Sequence, residues 1–196
     1  IKHTFKPGEF SLYNESSNEN FSFKDTIGQA NIGAVETGLY VEDDWNISKN
    51  MKVNAGLHFS SFLLNEESYF SLQPRVSSRF LLPKDWSMKA SFATMRQYIN
   101  LLSFEGIGLP TDLWVPSTAK IKPQDSWQAA FGTAKTINDS YELSVEVYYK
   151  KMNNLVAYKD GAGVFQTDDW QNRVVQGKGD AYGTELFLQK KEGRLS

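Results

Sequence analysis

Apolar and polar side chains alternate one by one through Tyr141–Lys151. Tyr141, Leu143, Val145, Val147 and Tyr149 fall on one side, and Glu142, Ser144, Glu146, Tyr148 and Lys150 on the other. Successive side chains of an extended chain point to opposite faces, so this period predicts a β-strand with one apolar and one wet face. The same alternation recurs along the chain. Thr37, Leu39, Val41 and Trp45 share a face, with Asp43 the exception; Val53, Ala55, Leu57 and Phe59 oppose Lys52, Asn54, Gly56 and His58. Phe70, Leu72, Pro74, Val76, Ser78, Phe80 and Leu82 oppose Ser71, Gln73, Arg75, Ser77 and Arg79. Further strands are predicted over Trp86–Tyr98, Asp125–Ile137 and Asp180–Lys191, and Ile1–Lys6 reads as the end of another.

Strand length and connection length narrow the architecture. Phe70–Leu82 would run to roughly 40 Å at about 3.3 Å per residue, long for a soluble strand of about five or six residues. Short turns are predicted at Ser48-Lys49-Asn50, Pro83-Lys84-Asp85 and Asn138-Asp139-Ser140. Long polar or Gly/Pro-rich connections occupy Glu9–Asn31, the first with room for a short hairpin, Ile99–Gln124 and Asn154–Lys178. Short turns at one rim and long connections at the other describe an antiparallel up-and-down meander of about eight long strands in a transmembrane barrel. A soluble all-β sandwich, such as a carbohydrate-binding module, is the alternative.

Composition changes the picture in three ways. The 196 residues include nine Tyr, thirteen Phe and five Trp, enough for aromatic belts. No Cys and two His leave no thiol chemistry and no set of zinc or iron–sulfur ligands. A net charge of −2 offers no basic patch for nucleic acid. No run approaches the roughly 18 apolar residues of a membrane helix, which does not bear on barrel strands.

Candidate chemistry follows the alternation. Arg75, Arg79, Glu142, Glu146 and Lys150 are expected on the lumen side, where they line a substrate path, hold an internal plug through ion pairs, or supply the polarity that any wet interior needs. Trp45, Trp86, Trp127, Tyr141 and Tyr149 are expected in interfacial girdles. Phe104, Trp114, Tyr158, Phe165 and Trp170 lie in the long connections and are the candidates for ligand binding, against simple loop packing. Asp168-Asp169 lacks the spaced oxygen ligands of a Ca²⁺ loop and reads as solvated. No nucleophile–base pair, metal ligand set or cofactor motif is present, so no enzyme is expected.

Six segments, in order, resemble the barrel of TonB-dependent outer-membrane receptors of the Bacteroidetes kind. They are His3-Thr4-Phe5-Lys6-Pro7-Gly8, Glu36 with Gly38–Trp45, Gly56-Leu57-His58-Phe59, Gln73-Pro74-Arg75-Val76-Ser77, Ile121-Lys122-Pro123-Gln124-Asp125 and Gly183-Thr184-Glu185-Leu186. His58 stands where the family pattern usually has Arg. The resemblance implies a barrel of about 22 strands around an N-terminal plug. It also implies contact with outer-membrane lipid, energy from a TonB complex, and uptake of a siderophore, vitamin or glycan. A surface lipoprotein of the SusD type is an implied partner. Residues 1–196 carry about eight or nine of these strands, without plug, TonB box or signal peptide. Both ends read as cuts, and the chain is expected to be a partial barrel domain that closes its sheet on itself or associates with a second copy.

Overall fold

The computed structural model describes residues 1–5, 8–14, 21–27, 32–65, 67–102, 113–137, 140–160 and 170–190. Alternation becomes twelve strands: β1 Lys2–Phe5, β2 Gly8–Asn14, β3 Phe21–Ile27, β4 Ile32–Asn46, β5 Met51–Leu64, β6 Glu67–Leu82, β7 Trp86–Gln97, β8 Ile99–Leu102, β9 Leu113–Pro116, β10 Gln124–Ile137, β11 Tyr141–Tyr158 and β12 Val174–Lys190. No α-helix occurs among the described residues; a single 3₁₀ turn spans Trp170–Asn172.

Eight strands form one antiparallel sheet in the order β1-β4-β5-β6-β7-β10-β11-β12. Every long strand pairs with the next long strand in the chain, which is the expected meander. Two hairpins, β2–β3 and β8–β9, are inserted in connections of the long-connection rim. At the opposite rim the turns are short: Leu82 still pairs with Trp86, and Ile137 with Tyr141. Lys84 and Asp85 take the left-handed conformation there, with φ of 63° and 61°. Among the described residues the sheet does not close on itself, unlike one of the expected outcomes. β1 covers only the first four residues of β4, and the outer edge of β12 has no partner among the described strands.

The register sorts the two faces. Leu39, Phe59 and Leu72 sit side by side on β4, β5 and β6, as do Val147, Phe131 and Ala90 on β11, β10 and β7. This apolar face is open to solvent along its length, Leu39, Leu72 and Leu186 being 67%, 61% and 73% exposed. Asp43 interrupts it, and its carboxylate accepts from the Trp45 indole N–H at 2.6 Å and from the Asp44 amide at 2.9 Å. Aromatic residues mark two levels. Near the short turns stand Trp45, Trp86 and Tyr141, with the Lys135 ammonium 5.2 Å over the Trp86 ring. Farther up, Phe92, Trp127 and Tyr149 form a run of tilted rings 6.1 and 5.3 Å apart. The stretch from Tyr141 to Tyr149 covers about 26 Å of strand.

Several strands run past the second level, and the buried core lies there. The ladder between β6 and β7 ends at Arg75–Ala93, next to Pro74, which has no N–H to extend it. Side chains take over. Gln73 accepts from the Arg96 amide (3.2 Å) and donates to Ser60 Oγ (2.8 Å); Arg96 donates to the Phe70 carbonyl (3.0 Å) and pairs with Asp125 (2.6 Å). Phe62, fully buried, stacks on Tyr98 at 5.1 Å beside Ala34 and Leu64. Phe62→Ala is expected to cost about 3–5 kcal/mol of stability at this rim. Amide hydrogen exchange should speed up over Tyr98–Asn100 first; unchanged exchange there would contradict a core centred on Phe62.

Candidate functional site

Two regions gather chemistry. The first is the polar face of the sheet. Arg75, Ala93, Gln128 and Lys150 lie in one cross-strand row, and Lys52, Arg79, Lys89, Gly132, Glu146 and Glu185 in another. Glu142 stands on the same face, opposite Thr136 and Gln189. All five charged residues expected to face the lumen therefore share this face. A trough of about 440 Å³ runs across it between Lys52, Arg79 and Lys89 on one side and Glu146 on the other. Small side chains, Ser77, Ser91 and Ala130, form its floor. Asn54 donates to Glu42 (2.8 Å) and Asp44 (3.1 Å), and Asp44 pairs with Lys52 at 3.2 Å. A smaller hollow of about 180 Å³ lies nearer the long-connection rim, between Met95, Gln124, Ser126 and Lys150.

The second region is that rim. The β8–β9 hairpin carries Leu102 and Val115 into a cluster with Ile121, Trp170 and Val174, against which Val156 and Tyr158 pack. Ile99 of the same hairpin packs on the Phe62–Tyr98 cluster. The hairpin thus ties β4–β6 to β11–β12 across the top of the sheet. Thr118 is the knot. Its carbonyl accepts from the Tyr69 hydroxyl (2.7 Å), and its own hydroxyl bonds Gln171 (2.5 Å) and accepts from the Ile121 amide (3.2 Å). Burial raises the Tyr98 phenol above its ordinary pKa, against a smaller opposing effect of the bond to Ser60, so it stays protonated at neutral pH.

The loop aromatics separate by environment. Trp114 is presented to solvent at 57% exposure, beside Leu101 on the outer side of the hairpin. Trp170 is 8% exposed and Tyr158 half-buried, both within the rim cluster. Neither is a free loop side chain: Tyr158 ends β11, whose strand continues through Asn154 by way of a bulge, and Trp170 opens the 3₁₀ turn. Phe104, Phe165, Asp168 and Asp169 lie outside the described residues. Among the described residues no group of acidic, His or Cys side chains is arranged to hold a metal. Lys52, Lys89 and the buried Gln73 are not singled out by the sequence.

The arrangement is a two-faced sheet, apolar outside and charged inside, with its inserted segments gathered at one rim. A family model described as TonB dependent receptor-like, beta-barrel, matches residues 3–194. This chain belongs to that family. No individual curated protein and no solved structure matches it. TonB-dependent receptors are transporters of the bacterial outer membrane rather than enzymes, and they work with TonB and a nutrient substrate. Outer-membrane barrels in general turn a polar face to the lumen and place their short turns in the periplasm. Replacing Gln73 by Ala removes the side chain that joins β5, β6 and β7 at the long-connection rim. A loss of about 1–3 kcal/mol is expected, with faster exchange of the Arg96 amide; exchange equal to wild type would contradict that bridging role.

Proposed function

We propose that this chain is part of the barrel of a TonB-dependent receptor of the Bacteroidetes kind, taking up a siderophore, vitamin or glycan in partnership with a SusD-like surface lipoprotein. One observation carries the membrane part of the reading. The apolar face is continuous across the sheet, exposed, and bounded by two aromatic levels about 26 Å of strand apart, close to the apolar band of an outer-membrane barrel. The free edges of β4 and β12 supply backbone donors and acceptors for further strands, which a bilayer requires to be paired. The six family-like segments support the Bacteroidetes assignment and with it the lipoprotein partner. A soluble carbohydrate-binding module would leave this whole face in water, well beyond the patch size soluble monomers carry.

Trp114 and Leu101 form the exposed apolar pair nearest the outer rim, and Trp114 is the described aromatic best placed to meet the nutrient. Tyr158 and Trp170 support that rim from within rather than touching the ligand.

Two outcomes test the proposal. Val147→Arg, at the middle of the apolar face, should cost about 2–4 kcal/mol and deplete the receptor from outer-membrane fractions. Ser144→Arg, on the polar face, should assemble as wild type, and equal behaviour of the two would refute the assignment of faces. Trp114→Ala should raise the nutrient concentration for half-maximal uptake about fivefold or more, equivalent to roughly 1 kcal/mol. Unaltered uptake would remove Trp114 from the binding surface.

A further inference from the structure

Acids and bases on the apolar face fare differently. Three acids fall there among the described strands, and each is answered from within the chain. Asp43 accepts from the Trp45 indole and the Asp44 amide, Asp125 pairs with Arg96 at 2.6 Å, and Asp180 accepts from the Tyr149 hydroxyl. Two lysines beside the short turns have no such answer. Lys135 stands opposite Trp86 and Leu143, and Lys190 opposite Tyr141, which puts both on this face. Neither makes a salt bridge with a described residue. The Trp86 ring lies 5.2 Å from the Lys135 ammonium, but a ring face carries no counter-charge. Lys2, Lys151 and Lys178 lie toward the long-connection rim instead, Lys151 opposite Asp180. An ammonium at the margin of hydrocarbon is costly until an anion reaches it.

We infer that Lys135 and Lys190 hold the phosphodiester of an anionic two-chain lipid, in the leaflet nearest the short turns. The inference rests on the reading of the apolar face as lipid-facing. The two Cα atoms are about 12 Å apart, two strand spacings across and two residues along. Flexible four-carbon stems converging from that separation meet at one phosphate over Tyr141 and Leu143. Leu186 and Leu188, 73% and 66% exposed, continue from there as an apolar strip along β12 on which the acyl chains lie. A bare anion would neutralise the lysines and leave the strip uncovered; a phosphate with chains attached answers both. On this face of β10, β11 and β12 the described acids are Asp125 and Asp180, at the far end of the strands from Lys190. A headgroup amine would find no carboxylate here, so the site favours a lipid of net negative charge over a zwitterionic one.

The test uses the whole receptor extracted from the outer membrane in non-ionic detergent, with phosphatidylglycerol as the probe and native mass spectrometry as the readout. Wild type should keep phosphatidylglycerol through a wash that strips diacylglycerol of the same chains. Lys135→Gln with Lys190→Gln should lower the bound fraction at least fivefold, and Lys135→Arg with Lys190→Arg should keep at least half of it. Lys49→Gln with Lys84→Gln, in the neighbouring short turns, should leave it unchanged; an equal loss there would mean diffuse attraction and overturn the site. Equal retention of diacylglycerol would reduce the site to hydrocarbon contact, and displacement by an equal concentration of glycerophosphate would make it a free-phosphate site. Either result overturns the proposal. Should the Gln pair not assemble, Lys190→Gln alone should lose at least twofold, and wild-type retention by it would refute the pair. Recovery of the wild-type receptor outside the outer-membrane fraction would instead refute the lipid-facing reading, a result distinct from the others.

Discussion

A sheet exposed to hydrocarbon on one face and to water on the other must satisfy its backbone internally and sort its side chains strictly by parity. Everything else in this chain follows from that constraint. Long strands, unbroken ladders between β4, β5 and β6 and between β7, β10 and β11, and short turns at one rim keep the N–H and C=O groups paired. Parity then costs nothing extra, because adjacent residues already point apart. On the apolar face Asp43 is met by the Trp45 indole and Asp180 by the Tyr149 hydroxyl.

The sheet departs from regularity where the membrane constraint relaxes. Above the second aromatic level the β6–β7 ladder gives way at Pro74, and the bulge at Asn154, with φ of 57°, shifts the register between β11 and β12. Asn154 then donates to the Pro123 carbonyl, holding the returning chain against β11. Water at this rim satisfies groups that lipid would leave unpaired, so irregular backbone is tolerated and becomes the place where inserted segments attach. The two buried clusters lie at this rim, joining residues of the strand ends to residues of the inserted hairpin and the returning chain.

The polar face is organised differently from a merely polar surface. In the row through the trough the charges are segregated by strand, Lys52, Arg79 and Lys89 across β5–β7 and Glu146 and Glu185 across β11–β12, with Gly132 between. Segregation of this kind sets up a field across the trough rather than cancelling it locally, and fields of that form orient whatever carries complementary charge. The long-connection rim instead mixes charged groups, among them the Arg96–Asp125 pair, Lys120 and Lys159, with aromatic ones.

What the amino-acid sequence determined by itself is the all-β class, the seven long strands and their facing. Side-chain direction in a strand is a local property: Leu143, Val145 and Val147 must share a side whatever they pack against. The short turns are equally legible, since Pro83-Lys84-Asp85 and Asn138-Asp139-Ser140 punctuate the alternation. Strand and connection lengths pointed to a membrane barrel, the resemblance named a family, and the family match agrees with it. Tertiary structure alone decided the rest. Trp170 and Tyr158 read as exposed loop aromatics because burial by a hairpin some 50 residues away leaves no mark on their own neighbours in sequence. The ends of β11 and β12 read as loop because Asn154 and the glycines at 177 and 179 are poor strand formers, and cross-strand pairing outweighs that preference. The opposition of Lys52, Arg79 and Lys89 depends on the register between three strands, a long-range quantity that propensity does not contain.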